Sequence, residues 1–349
     1  MTPLKIGISS CLLGDQVRFD GGHKRDTFLT EILAPYVEWV RVCPEVEIGL
    51  GIPRETLRLV NVGGDARMIT TRTGIDHTDT MRAYAQRRTA ELESAGLRGY
   101  VLKKDSPSCG MERVKVYDGS APTRTGVGTY AAILKEKFPA LPIEEEGRLA
   151  DAVLRENFIE RVFAYDRLRA LFDGAWTQQA LIAFHTAHKL ALLAHSTTAY
   201  QALGRLVAGL PGGFAPPDPA ARSLAGTPGP APLAWLTRGR SFAGGTALSR
   251  DELQRQYESS FMSTLARPST TKRHTNVLRH MAGHLKHKND DGSKQELVSC
   301  IDEYRRGLVP LVVPLTLLRH HVRAHDIGYL AGQTYLEPHP RELMLRNHV

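Results

Sequence analysis

Apolar runs alternate with amphipathic stretches over the first 145 residues. Three runs are typical of buried β-strands: Leu4–Ser9, Val37–Val42 and Tyr100–Lys103. Three stretches have the residue spacing of helices: Thr27–Tyr36, Thr80–Ala95 and Thr129–Lys137. Strands and helices that alternate with short connections predict a Rossmann-like, three-layer α/β domain with a mainly parallel sheet. The segment between Cys43 and Thr80, which contains GLGIPRE and VGGD, is predicted to be a loop.

The pattern changes near Asp151, where apolar residues recur at helical spacing and the strand pattern ends. The remainder predicts an all-α domain, in which Ser249 is expected to cap the helix that begins SRDELQ. Residues 210–247 are rich in Pro and Gly and are predicted to form a flexible insertion. We therefore predict two domains, residues 1–148 and residues 149–349.

Composition is that of an ordinary globular protein, with 42% hydrophobic and 23% charged residues among 349. Apolar runs are too short to span a bilayer, and the first residues lack the pattern of a signal peptide. Four scattered cysteines argue against a disulfide framework and favour reduced thiols or metal ligands. We expect a cytoplasmic protein without a membrane partner.

Positive charge is concentrated in the second half. Residues 1–150 carry 21 Lys and Arg against 20 Asp and Glu, a net charge of +1, whereas residues 151–349 carry 24 against 17, a net charge of +7. This division suggests chemistry in the first half and polyanion binding in the second. A basic domain that is basic only for solubility is the alternative.

Three cysteines follow the three predicted strands. Cys11, Cys43 and Cys109 each come after one of the apolar runs, beside a Gly or Pro that favours a turn. Because the carboxyl ends of parallel strands share one edge of a sheet, the three thiols are expected to converge there. Three soft ligands suit an iron–sulfur cluster or another soft metal with one open position. Three separate buried cysteines are the alternative, since the spacing itself is not that of ferredoxins.

Five motifs carry a resemblance to a known family. SSCLLG, VRFDGG, VCPEVEIGLGIPRE, KKDSPSCG and VYDG…GVGTYAAIL make residues 4–145 similar to the thiouracil desulfidase (TudS-like) family. Residues from about 157 to 349 resemble the helical domain often fused to it, an arrangement similar to bacterial tRNA 4-thiouridine desulfidases.

The resemblance implies a [4Fe–4S] cluster held by Cys11, Cys43 and Cys109, with the substrate sulfur bound at the open iron. Glu45 is the predicted general acid or base, because it is the carboxylate nearest in sequence to a ligand. The resemblance favours Ser106 as the residue that handles protons or positions the substrate. Ser108, and more weakly Ser10, are candidates for contacts to the cofactor.

The segment Arg267–Lys288 gives the strongest polyanion signal, with six Lys or Arg, four His and no carboxylate. Phosphate contacts from such a face release counterions and dominate nucleic-acid affinity. The predicted RNA-binding residues are Lys272, Arg273, Arg279, Lys286 and Lys288. A charged face that is simply solvated is the alternative.

The stretch from Gly126 to Ala131 fits G-x-G-x-x-A, but no hydrophobic strand precedes it, so a dinucleotide site is not expected. Its helix N-terminus remains a candidate for a substrate phosphate.

We therefore predict a cluster-dependent desulfidase that converts 4-thiouridine in tRNA to uridine and sulfide without net redox change. Two alternatives remain open at this point. One is desulfidation of free thiobases such as 2-thiouracil, and the other is a non-catalytic iron–sulfur protein that binds RNA or senses redox state.

Overall fold

The three predicted strands lie side by side in a parallel sheet. The computed structural model describes residues 3–119, 121–209 and 248–347. In chain order the strands are β1 (Leu4–Ser9), β2 (Val37–Val42), β3 (Leu57–Val62), β4 (Asp65–Thr70), β5 (Gly99–Leu102), β6 (Val114–Tyr117), β7 (Thr123–Gly126) and β8 (Ile143–Glu145). One sheet has the order β2-β1-β5-β8, and all of its pairs are parallel.

Helical segments cover both faces of this sheet. They are a 3₁₀ turn (Ser10–Leu13), a π-helix (Phe28–Leu33), a second 3₁₀ turn (Ala34–Tyr36), α1 (Pro44–Glu47), α2 (Thr78–Ala95), α3 (Thr129–Lys137) and α4 (Ala152–Phe172). On one face, Ile6 packs with Leu29 and with Phe158 of α4. On the other, the ring centroid of Tyr100 lies 6.3 Å from that of Tyr130 in α3. The predicted α/β class with a mainly parallel sheet is confirmed.

A second sheet takes two of its four strands, β3 and β4, from the segment that was predicted to be a loop. Its order is β4-β3-β6-β7, with antiparallel hairpins β3–β4 and β6–β7 joined by a parallel β3–β6 pair. The β3–β4 hairpin turns at Gly63 and Gly64, whose φ angles of 61° and 90° match the two-residue turns that join antiparallel strands. The loop prediction was wrong because polar residues interrupt the apolar alternation of these strands.

The second half of the chain is helical, as predicted. Its helices after α4 are α5 (Gln178–Ala187), α6 (Lys189–His195), α7 (Thr197–Ala208), α8 (Arg250–Leu265), α9 (Thr271–Leu285), α10 (Asp291–Arg305), α11 (Val312–Ala324) and α12 (Gly328–Ala331). The Ser249 side chain accepts a hydrogen bond from the Glu252 amide and caps α8, as expected. Leu190, Leu278 and Leu315 help to form a continuous core. The predicted insertion, residues 210–247, lies outside the described residues.

The chain forms two compact units, Met1–Asp166 with Arg341–Leu345, and Arg167–Pro340 with Arg346–Val349. The boundary lies within α4, after Asp166, rather than at residue 148, where the composition changes. The reason is that Phe158, Ile159 and Val162 of α4 belong to the core that contains β1. None of the helices in the described part of the chain combines the length and apolar character that crossing a membrane requires.

Candidate active site

The carboxyl ends of neighbouring parallel strands bring three cysteines together. Cys11 lies in the 3₁₀ turn after β1, Cys43 follows β2 directly, and Cys109 lies in the turn after β5. Cys43 is close enough to the other two for its charge to act on the pKa of both Cys11 and Cys109. Cys11 and Cys109 are buried, and Cys43 is partly exposed. The site therefore has two deep thiols and one near its opening.

Burial determines the protonation of these thiols. It raises the pKa of Cys11 to about 12, an effect that the positive charge of Lys103 partly offsets. Burial also raises the pKa values of Cys43 and Cys109. In the absence of a metal the three groups are thiols, and coordination would displace their protons.

Three cysteines at one sheet edge are a donor set that fits an iron–sulfur cluster. Within residues 3–119, 121–209 and 248–347, no three His, Cys, Asp or Glu side chains are gathered tightly enough to hold one metal ion. Each of the three thiolates would bind a different iron of such a cluster. Cys11 and Cys109 supply buried sulfurs and Cys43 a partly exposed one, and soft thiolates suit iron–sulfur chemistry.

Glu45 lies beside Cys109, together with both candidate serines. The Ser108 hydroxyl donates a 2.6 Å hydrogen bond to Oε1 of Glu45, and the Ser106 hydroxyl lies 3.4 Å from the same oxygen. The two hydroxyl oxygens are 2.9 Å apart. Ser106 Oγ also accepts a hydrogen bond from the Cys109 amide at 3.1 Å, so this side chain helps to shape the turn. The short contact to the carboxylate belongs to Ser108.

Arg54 fixes the other carboxylate oxygen of Glu45, and sequence reasoning missed it. Its Nε and Nη2 donate to Oε2 of Glu45 at 3.0 and 2.5 Å, and its Nη1 donates to the Val17 carbonyl at 2.9 Å. The Arg54 side chain is only 5% exposed. The available signal was its place in GLGIPRE, the last part of a motif that also contains Cys43 and Glu45.

Glu47 orients the second cysteine from one helical turn away. Its Oε1 accepts a 2.9 Å hydrogen bond from the Cys43 amide, and its Oε2 accepts a 2.7 Å bond from the Tyr84 hydroxyl of α2. Pro44 is the first residue of α1, where its missing N–H costs nothing. Cys43 is thereby connected through Glu47 to α2.

Ser9, rather than Ser10, contacts a cysteine. The Ser9 hydroxyl donates to the thiol of Cys109 and accepts a 3.0 Å hydrogen bond from the Lys103 amide. Ser108 lies 3.7 Å from the same sulfur. Ser10 is buried in the 3₁₀ turn, and among the described residues its hydroxyl forms no hydrogen bond to a cysteine.

The N-terminus of α3 holds the turn that carries Cys109. The amides of Thr129 and Tyr130 donate to the carbonyls of Pro107 and Ser108 at 3.0 Å each. The expectation that this helix end could bind a substrate phosphate was therefore wrong, because these N–H groups are already used. Gly128 belongs to the same contact, since a Cβ there would lie 2.5 Å from the Ser108 carbonyl oxygen.

Replacing Gly128 with Ala should push the Cys109 turn away from α3. The added methyl group meets backbone, which cannot rotate aside, so we expect a loss of about 1–3 kcal/mol in the free energy of unfolding. Thermal denaturation measures the loss, and iron content after reconstitution measures displacement of the third thiol. Gly174→Ala is a control without overlap, since no atom lies within 4 Å of its added Cβ and its φ is not positive. Unchanged iron content in Gly128→Ala would contradict the role of this contact.

The five predicted RNA-binding residues lie in the helical unit. Lys272, Arg273 and Arg279 are exposed on α9, Lys286 is its C-cap residue, and Lys288 follows. The opposite side of α9 is buried in the helical core. Nη2 of Arg279 lies 3.9 Å from Oδ1 of Asp302. The other four basic residues form no ion pair within the described ranges. We call these five residues the α9 basic surface.

Comparison with known proteins agrees with this arrangement. The family described as 2-thiouracil desulfurase matches residues 6–146, and DUF1722, a family of unknown function, matches residues 234–340. The uncharacterized protein YbgA of Escherichia coli (strain K12) is 30% identical over 192 residues, 55% of this chain and 94% of YbgA. The chain belongs to the 2-thiouracil desulfurase family. Its desulfurase domain is followed by a DUF1722 domain.

Two further proteins match a smaller part of this chain. The uncharacterized protein YbbK of Bacillus subtilis (strain 168) is 31% identical over 139 residues, 38% of this chain and 89% of YbbK. A solved structure described as the [4Fe-4S]-dependent thiouracil desulfidase TudS is 30% identical, with a TM-score of 0.35. The match covers 42% of this chain and 93% of the chain in that structure.

Proposed function

We propose that this chain is a [4Fe–4S]-dependent desulfidase that converts 4-thiouridine in tRNA to uridine and sulfide. The observation that carries the proposal is the convergence of three thiols with a hydrogen-bonded carboxylate. Cys11, Cys43 and Cys109 supply the thiolates, and the Glu45 carboxylate lies beside Cys109 through Ser108. Membership of the desulfurase family favours C–S cleavage over a purely structural role.

The cluster would supply an open iron that binds the substrate sulfur and draws electron density out of the C–S bond. The chain itself handles the protons. Glu45 accepts the proton of an attacking water through Oε1, the oxygen that also holds Ser108. Arg54 fixes the direction of the carboxylate through two hydrogen bonds to Oε2. The C–S bond is replaced by a C–O bond, water supplies the oxygen, and sulfur leaves as sulfide, so no electrons are gained or lost.

The α9 basic surface supports tRNA as the substrate. Four exposed cations without an ion pair in the described chain lie on or just after one helix, in the half that carries most of the net charge. A thiolated base in tRNA would leave its stack to reach the buried thiols.

The test is anaerobic cluster reconstitution followed by incubation with thiolated tRNA. Loss of the near-ultraviolet absorbance of 4-thiouridine, together with release of sulfide, is the expected result, and Cys11→Ala should abolish both. Turnover of free 2-thiouracil with intact tRNA would favour the thiobase alternative. A loaded cluster without turnover on either substrate would favour a non-catalytic iron–sulfur protein.

Removing two charges from the α9 basic surface should weaken tRNA binding without affecting the cluster. For Lys272→Gln/Arg273→Gln we expect lower affinity and a slope of log K against log salt that is smaller by about two. Lys135→Gln/Arg255→Gln removes the same net charge from α3 and α8 and should leave the slope close to that of the wild type. Filter binding or fluorescence anisotropy at several salt concentrations gives the slopes. Equal slopes for the two variants would contradict an RNA-binding role for this surface.

A further inference from the structure

A second group of titratable side chains lies within the helical unit. We call it the Lys189 cluster, and its members are His185, Lys189, Tyr200, His280, His284 and Tyr329. The Lys189 ammonium lies 5.7 Å from the ring centroid of Tyr329, whose centroid is 5.1 Å from that of His284. His280 and His284 are 5.2 Å apart by the same measure. Four helices and the turn of α12 thus contribute to one polar cluster.

Two buried polar atoms in this cluster lack hydrogen-bond partners among the described residues. The hydroxyl of Tyr329 and Nε2 of His185 are buried, and neither forms a hydrogen bond in the described part of the chain. Lys189, which is partly buried, forms no ion pair with any described carboxylate. Buried polar groups in folded proteins are normally hydrogen-bonded, so these two unpaired atoms beside a partly buried ammonium indicate that a ligand completes the cluster.

The positive charge of Lys189, which has no counterion among the described residues, lowers the stability of the fold. Burial lowers the pKa of Lys189. Burial is also the main cause that lowers the pKa values of His280 and His284, and the positive charge of Lys189 is the second cause. No carboxylate contributes to any of these three shifts. A half-buried ammonium without a counterion destabilises the fold. An anionic ligand would supply the missing negative charge.

We propose that Lys189, His284 and Tyr329 form a binding site for the phosphate group of a nucleotide. An ammonium, imidazole N–H groups and a phenol hydroxyl are donors for several oxygens, as a phosphate requires. The rings of Tyr329 and His284, whose centroids lie 5.1 Å apart, also place aromatic groups beside this ammonium for contact with an attached base or sugar. A metal ion is disfavoured because the ammonium of Lys189 would repel it.

The phosphate has two sources, an RNA chain and a free nucleotide. The existence of the site does not depend on the proposed desulfidase activity, and only RNA as the source rests on it. Inorganic phosphate, UMP and tRNA are therefore tested in parallel on the full-length chain. Phosphate binding in a chain that does not desulfurate tRNA would leave this site in place and overturn the proposed function alone.

Lys189→Met and Tyr329→Phe are the informative variants. Each removes an unpartnered polar group and keeps most of the side-chain volume, so both should fold with an unchanged or higher Tm. Phosphate and UMP at constant ionic strength should raise the Tm of the wild type. This shift should vanish in Lys189→Met and decrease in Tyr329→Phe. Lys294→Gln is the control, because Lys294 lies on α10, pairs with Asp291 at 2.8 Å, and should keep the full shift.

The tRNA measurement separates the two sources. If RNA supplies the phosphate, Lys189→Met lowers the salt slope of tRNA binding by about one. If a free nucleotide supplies it, tRNA binding is unchanged while the UMP-induced shift is lost. The proposal is overturned if the wild-type Tm does not respond to phosphate or UMP and Lys189→Met binds tRNA like the wild type. A lower Tm in both variants would also contradict it, since the groups would then be stabilising the fold.

Discussion

Replacing Glu45 with Gln should leave the chain able to bind its cluster and lower turnover by about 10²- to 10⁴-fold, the usual range of general acid–base catalysis. Gln keeps the size of the side chain, and its amide oxygen can still accept a hydrogen bond from Ser108 or Arg54. It cannot accept a proton from water. The loss should therefore appear in kcat, with little change in iron content.

The comparison that isolates proton transfer is between Glu45→Gln and Glu38→Gln. Glu38 is an exposed carboxylate on β2, one strand position from the buried Val37, and it should tolerate the change with full activity. Iron and sulfide content, the visible spectrum of the reconstituted cluster, and single-turnover desulfuration are measured on both. Full turnover by Glu45→Gln would assign proton handling to another group. Loss of the cluster in this variant would indicate a structural role for Glu45 instead.

Replacing Arg54 with Met should cost about 3–5 kcal/mol of the free energy of unfolding, because it leaves the Glu45 carboxylate without its partner. The pair is well shielded, with 5% of the Arg54 side chain and 16% of the Glu45 side chain exposed. The change also removes the hydrogen bond that Arg54 donates to the Val17 carbonyl, which ties the loop before the π-helix to the site. The Tm of the full chain should fall by roughly 10 °C.

An exposed ion pair is the matched control for this substitution. Arg41 donates to Asp15 at 2.9 Å, but 59% of its side chain is exposed, so Arg41→Met should cost at most about 1 kcal/mol. Thermal and urea denaturation give both values. Because the two partners are coupled, Arg54→Met/Glu45→Gln should be less destabilised than the sum of the single variants. Strict additivity would show that the carboxylate and the guanidinium do not depend on each other.

Apolar runs predicted the bounds of the first two strands. β1 is central in its sheet and buried at every position but one, so its apolar run is nearly continuous. β2 lies at the edge and exposes Glu38 and Arg41, but buried Val37 and Val42 mark its two ends. The second sheet escaped prediction because polar residues interrupt the apolar pattern of β3 and β4, such as the exposed Asn61 and Asp65. The Gly63–Gly64 pair between them was the available hairpin signal.

Contacts between distant loops lay outside what the sequence alone can predict. Strand order placed Cys11, Cys43 and Cys109 at one edge, and the structure does bring them together. The ion pair between Arg54 and Glu45, by contrast, depends on the path of the chain after α1, which has no periodic signal. The hydrogen bond from Ser9 to Cys109 likewise depends on the path of the turn after β5.

The contact between α3 and the Cys109 turn gives the site an order of assembly. All three cysteines have been synthesised once the chain reaches residue 109, yet the amides that hold the last of them belong to Thr129 and Tyr130. A ribosome-bound chain that ends between these points contains every ligand without the geometry to use them. The turn that carries Cys109 therefore gains these two hydrogen bonds only after the first residues of α3 have been synthesised.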